Sequence, residues 1–146
     1  FDLRLGEVYK ISGSAFLGET HRKTPNIKLV QKYKNGLKRK IKINPGDFYL
    51  ATTIEKVNTP KNLTINFKPR TTTFRSGLIL RTGNVAPGYC GKLTFAIKNE
   101  GPIIVEIEMG ARIVHAQFEE VKGGGSMYRG QWQGGRVTTK RPERQI

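Results

Sequence analysis

Apolar residues recur at every second position in short runs along this chain, and glycine, proline or asparagine interrupts each run. A period of two is that of a strand with one buried face. Residues 1–11 predict such a strand, with Leu3, Leu5 and Val8 or Tyr9 turned inward. Residues 12–24, rich in Ser, Gly and Thr, predict a loop. Ile27, Leu29 and Tyr33 alternate, as do Leu37, Ile41 and Ile43. Asn35-Gly36 lies between them and predicts a hairpin, because both residues tolerate positive φ. Pro45-Gly46-Asp47 is a turn, with strands predicted over 48–54 and 63–67. A short hairpin over 80–85, a turn at Pro87-Gly88 and an alternating strand over 93–99 follow. Turns at Gly101-Pro102 and Met109-Gly110 separate the last strands, the final one over 112–118. No repeat and no useful amphipathic helix interrupts this pattern, so the expected class is all-β.

Length and composition narrow the picture. The chain has 146 residues, enough for one core, and 36% of them are hydrophobic. No apolar run approaches the roughly 18 to 20 residues of a membrane helix. No signal peptide is visible at the opening Phe1-Asp2-Leu3-Arg4-Leu5-Gly6, so the expected location is cytoplasmic or particle-associated. The single cysteine, Cys90, excludes an internal disulfide framework and a multi-cysteine metal site. A net charge of +15 favours polyanionic partners: nucleotides, nucleic acid or an acidic protein surface. Lys28, Lys32, Lys34, Lys38, Lys40 and Lys42 share one face, with Arg39 on the other register. Such a face either keeps an edge strand soluble or meets a polyanion. No aromatic ladder is interleaved with it, so single-strand stacking is not supported.

The chemistry concentrates in residues 69–99. Arg70 offers a planar fork of donors suited to phosphate, and Thr71, Thr72 and Thr73 add hydroxyls beside it. Pro87-Gly88 leaves backbone open to close approach. These residues carry a resemblance to the trimeric dUTPase and dCTP deaminase family. Arg70 to Leu78 resembles its Arg-Ser-Ser-x-x-Arg-x-Gly-Leu phosphate motif, with Thr for Ser. Gly83 to Gly91 resembles the next motif, and Leu93 to Asn99 resembles Ile-Thr-Leu-Glu-Leu-x-Asn. Asp2-Leu3-Arg4-Leu5-Gly6 is similar to an opening of the deaminase branch. Residues 112–118 are similar to Gly-x-Arg-Ile-x-Gln-x-x-Phe, with His115 in the Gln position.

The resemblance implies a dUTPase-like β-barrel or β-clip, a distorted jelly roll, assembled as a homotrimer with a flexible C-terminal arm. It divides the chain into a β domain over 1–121 and a Gly-rich linker with a basic arm and tail over 122–146. It implies phosphate contacts from Arg70, Thr71, Thr72 and Arg75, and base and sugar contacts from Gly83, Asn84, Val85 and Tyr89. The arm residues Tyr128, Arg129, Gln131, Trp132 and Gln133 would close over a bound triphosphate. Two carboxylates of the family are absent: its motif Asp falls on Ala86 and the deaminase Glu on Ala96. Neither alanine can activate water or move a proton. Three readings follow. One is a trimeric binding, scaffold or coat-like protein without the chemistry, requiring no cofactor and no metal. Another is an active dUTP hydrolase or dCTP deaminase, with Mg accompanying the nucleotide. The third is a basic nucleic-acid-binding module.

Overall fold

The computed structural model describes residues 1–123 and 125–145. The expected linker 123–126 therefore includes one residue, Gly124, outside the described set, and the expected tail ends on another, Ile146. The elements run β1 (Asp2–Ser12), β2 (Phe16–Leu17), β3 (His21–Lys23), β4 (Asn26–Lys32), β5 (Lys40–Ile43), β6 (Phe48–Asn58) and β7 (Leu63–Pro69). A five-residue helix α1 (Thr71–Arg75) precedes β8 (Leu78–Arg81), β9 (Asn84–Val85), β10 (Cys90–Asn99), β11 (Val105–Glu108), β12 (Arg112–Glu120) and β13 (Glu143–Arg144).

Eight strands form one curled sheet in the order β8-β10-β6-β1-β12-β7-β9, with β4 also on β1. β1 makes the curl. Its start pairs with β12, and its later residues pair with β6 and β4. Irregularities between Leu3 and Arg4 and between Leu5 and Glu7 let one strand serve both halves. Gly6 sits in the second of these, and a Cβ there would lie 2.7 Å from the Thr53 carbonyl oxygen. The curl encloses Leu5, Val8, Ile43, Ile65, Ile97 and Val114, all essentially without solvent contact. Each such side chain contributes roughly 1.5–3 kcal/mol by leaving water. Phe67 and Phe95 meet edge to face at 6.3 Å across this core. The all-β expectation holds.

Four local expectations are corrected. Asn35-Gly36 does turn the chain, with Gly36 at φ 78° and a lone bridge from Lys34 to Leu37. No hairpin grows from it, because β4 pairs with β1 and β5 pairs with β11. Leu29 is consequently exposed rather than inward. Residues 80–85 are not a hairpin either: β8 pairs with β10 while β9 pairs with β7. The stretch expected to be loop, 12–24, holds β2 and β3. The expected basic tail, given no regular structure by its sequence, supplies β13, which pairs with β3. Thr138 and Thr139 anchor it further, exchanging hydroxyl and backbone hydrogen bonds with Thr24 and Pro25.

Candidate nucleotide site

Two cavities carry the residues that the sequence singled out. The first, about 520 Å³, is lined by Asp2, Lys68, Pro69, Arg70, Thr71, Thr72 and His115. Arg70 is the N-cap of α1, in extended conformation, and its backbone N–H donates to the Ile113 carbonyl at 3.0 Å. Thr73 turns inward and donates to the same carbonyl, which leaves Thr71 and Thr72 exposed beside Arg70. The Arg70 guanidinium pairs with Asp2 at 3.0 Å, and the other Asp2 oxygen accepts from His115 Nδ1 at 3.2 Å. The hydrogen bond from His115, then the nearby Arg70 charge, holds the Asp2 carboxyl below the usual carboxylate range. Arg75 lies in the last turn of α1, exposed, and lines neither cavity.

The second cavity, about 180 Å³, is lined by the expected base and sugar wall: Gly83, Asn84, Val85, Ala86 and Tyr89. Tyr89 is buried, which raises its phenol pKa and keeps the hydroxyl a donor to the Lys92 carbonyl at 2.7 Å. The C-terminal segment closes this cavity with Tyr128, Trp132 and Arg136. Tyr128 packs edge to face on Tyr89 at 5.4 Å, and its N–H donates to the Pro87 carbonyl at 2.7 Å. Gln133 grips the turn from both sides: Cys90 N–H donates to its Oε1 at 3.0 Å, and its Nε2 donates to the Gly88 carbonyl at 3.0 Å. Gln131 lends its carbonyl to Arg136 at 3.2 Å, while Arg129 is exposed.

The lining of this second cavity contains no Asp, Glu or His among the described residues. Ala86 is part of the wall. Ala96 is buried on β10, opposite Arg81 on one side and Leu50 on the other, and does not line the cavity. Thr94 does line it, and its buried hydroxyl has no hydrogen-bond partner. No group of three His, Cys, Asp or Glu side chains could hold a metal ion among the described residues. Both Asp2 oxygens are already engaged, so a Mg ion would be carried by the nucleotide's phosphates rather than by a protein cage.

The structure thus joins Arg70, Thr71 and Thr72 in one cavity and Gly83, Asn84, Val85, Tyr89, Tyr128 and Trp132 in another. It does not join the two sets within one chain. Sequence reasoning missed Asp2 and Lys68 as neighbours of Arg70. No local pattern signals that neighbourhood, because it depends on the pairing of β1, β12 and β7.

A family model of dCTP deaminase-like proteins matches residues 1–121. A dUMP-forming dCTP deaminase of Dictyoglomus thermophilum is 31% identical over 122 residues, covering 80% of this chain and 62% of the relative. The chain therefore spans about three fifths of that relative's length. A probable deoxyuridine 5'-triphosphate nucleotidohydrolase of Methanothermobacter thermautotrophicus is 29% identical over 132 residues, covering 90% of this chain and 83% of the relative. Among solved structures, the dCTP deaminase of Agrobacterium tumefaciens aligns with a TM-score of 0.60 at 18% identity, over 81% of this chain and 38% of that one. The EIAV dUTPase aligns with a TM-score of 0.53 at 17% identity, over 65% of this chain and 79% of that one. No helix of the described residues is long and apolar enough to cross a membrane. With its fold, motifs and relatives in agreement, the chain belongs to the dCTP deaminase-like family.

Proposed function

We propose that this protein is a homotrimeric nucleotide-binding member of its family that holds a deoxynucleoside triphosphate without hydrolysing or deaminating it, and serves a binding or scaffold role. The observation that carries the reading is the base-side cavity, which keeps Gly83, Asn84, Tyr89 and Trp132 but has Ala86 in its wall and no Asp, Glu or His in its lining. Positioned acids and bases contribute about a hundred- to ten-thousand-fold to such reactions. The phosphate side retains its donors at Arg70, Thr71 and Thr72. Trimer formation is supported by the placement of the two halves in separate cavities of one subunit, which a neighbouring subunit can bring together.

Calorimetric titration with dUTP and dCTP, paired with assays for released pyrophosphate and ammonia, tests this. The expected result is saturable binding with neither product. Turnover of about 1 per second, within the ordinary enzyme range, refutes the non-catalytic part. Absence of binding refutes the nucleotide part. Sedimentation that gives a stable monomer at micromolar concentration refutes the trimer.

A further inference from the structure

Three adjacent strands place an acid, an imidazole and an amine in one row. Asp2 on β1 is the register partner of His115 on β12, and His115 is the register partner of Lys68 on β7. All three line the Arg70 cavity. His115 stays half exposed there, so its ring is held from one side only. Asp2 is acceptor-only as a carboxylate, so Nδ1 carries a proton and donates to it at 3.2 Å in either charge state of the ring. Nε2 is left for the cavity. In the neutral ring Nε2 is a bare lone pair, which repels an anion's oxygens. In the protonated ring it becomes a charged N–H donor.

We propose that protonated His115 is an anion-binding residue of this cavity, held in place by Asp2, and that it makes phosphate capture proton-dependent. The inference rests on the phosphate reading of the Arg70 cavity and adds a residue and a pH dependence to it. The groups facing His115 are few. Asp2 is its anionic neighbour; Lys68, which also donates to Gln117 at 3.4 Å, and the Arg70 and Arg112 guanidiniums beside Asp2 are cationic. A bound dianion offsets those three positive charges, so anion binding and protonation of the ring promote each other by linkage. The Asp2 carboxyl is held below its usual range, and histidine is the side-chain type whose charge ordinarily changes near neutral pH. His115 is thus the one group of the cavity positioned to confer a dependence between about pH 5.5 and 8.

Sulfate is a suitable probe because its charge is constant across that range and it carries no base. Its binding is read by NMR from the backbone amides of Thr71 and Thr72 and from the two histidine rings. His21, on β3 and hydrogen-bonded to Thr20, lies outside the cavity and serves as the internal control. The expected result is about tenfold tighter sulfate binding at pH 5.5 than at pH 8, the factor that 1.4 kcal/mol represents. His115 ring signals respond to sulfate and His21 signals do not. His115→Gln binds sulfate with the same affinity at pH 5.5 as at pH 8, the tightening being lost. Asp2→Asn, which releases the ring, reduces the tightening although His115 is still present.

Equal affinity at both pH values in the unaltered protein overturns the proposal while leaving the phosphate reading intact. So does a tightening that survives in His115→Gln. Loss of sulfate binding at both pH values in the unaltered protein removes both. Sulfate binding with the expected pH dependence, together with no dUTP or dCTP binding, removes the nucleotide reading alone. Thermal melting of each variant separates misfolding from loss of the contact.

Discussion

Gln133 is the clearest point at which to loosen the C-terminal segment from the wall it covers. Gln133→Ala removes two hydrogen bonds to the Pro87-Gly88 turn, one from Cys90 N–H and one to the Gly88 carbonyl, each 3.0 Å. The site is exposed, so water competes, and each bond is worth about 1 kcal/mol net. Losing both costs about 2 kcal/mol of docking, or about a 30-fold shift toward the undocked segment. Ties that remain at this wall include the Tyr128 N–H to the Pro87 carbonyl, the Gly134 N–H to the Cys90 carbonyl and the Tyr89–Tyr128 ring contact. Hydrogen exchange resolved by residue is the assay. Exchange at the Cys90 and Gly134 amides should accelerate by up to about 30-fold, with the ladder of β1 and β6 unchanged. Trp132 emission should shift as the ring gains water. Gly91→Ala is the stronger companion: Gly91 has φ 149°, and a Cβ there would collide with the backbone of Gly134 and Gly135. If Gln133→Ala leaves the exchange of both amides unaltered, the amide grip does not hold the segment.

Ala86→Asp returns a carboxylate to the wall of the base-side cavity and is expected to produce dUTP hydrolysis absent from the unaltered protein, read as released pyrophosphate. The Arg136–Glu143 fork, at 2.7 and 3.1 Å, anchors the end of the chain, and the hydrogen bond from Arg136 holds the Glu143 carboxyl below its ordinary value. Its contribution is complete above the unfolded carboxylate range and is lost as pH falls through the lowered value, so the Glu143 and Arg144 amide shifts should move toward random coil below about pH 4. Lys40 and Lys42 face Glu108 and Glu106 across the β5–β11 pair, and Lys32 pairs with Glu7 at 3.0 Å. Replacing Lys28, Lys34 and Lys38 by Gln should therefore weaken salt-sensitive oligonucleotide binding more than replacing Lys32, Lys40 and Lys42, and equal effects would contradict this.

Strand existence was legible because a one-sided sheet writes its period into the side chains, as in Leu3 and Leu5 or in Ile41 and Ile43. Strand partnership was not. Asn35-Gly36 makes the local turn that it signals, but β5 finds Val105 to Glu108 more than 60 residues later, and no local pattern encodes that choice. α1 was invisible for the opposite reason: five residues, three of them Thr, carry neither helical period nor propensity. The end of the chain reads as polar and basic, yet its threonine hydroxyls hold it to Thr24. In the site, Arg70, Thr71, Thr72 and the Gly83–Tyr89 wall were legible from motif. The Asp2–His115–Lys68 row was not, since it depends on the register of three strands far apart in sequence.

β7 separates the two halves of the site. Phe67 lines the base-side cavity and Lys68, the next residue, lines the phosphate-side cavity. Successive strand residues point to opposite faces, and the two linings share no residue. The Gly83–Tyr89 wall and Arg70 of one chain therefore border separate cavities on opposite faces of β7. The proposed trimer joins the two by supplying Arg70 from a neighbour. Complementation between defective subunits tests that arrangement. Arg70→Ala removes the phosphate fork, and Asn84→Trp fills the exposed side of the base wall without entering the core. Neither variant alone should bind dUTP. After subunit exchange in equal amounts, random assembly gives about a quarter of the sites an intact fork and an intact wall from different chains. Binding restored to about that fraction is the expected result. If the mixture stays as inert as its components, one chain must furnish the whole site, and the division of labour across β7 is wrong.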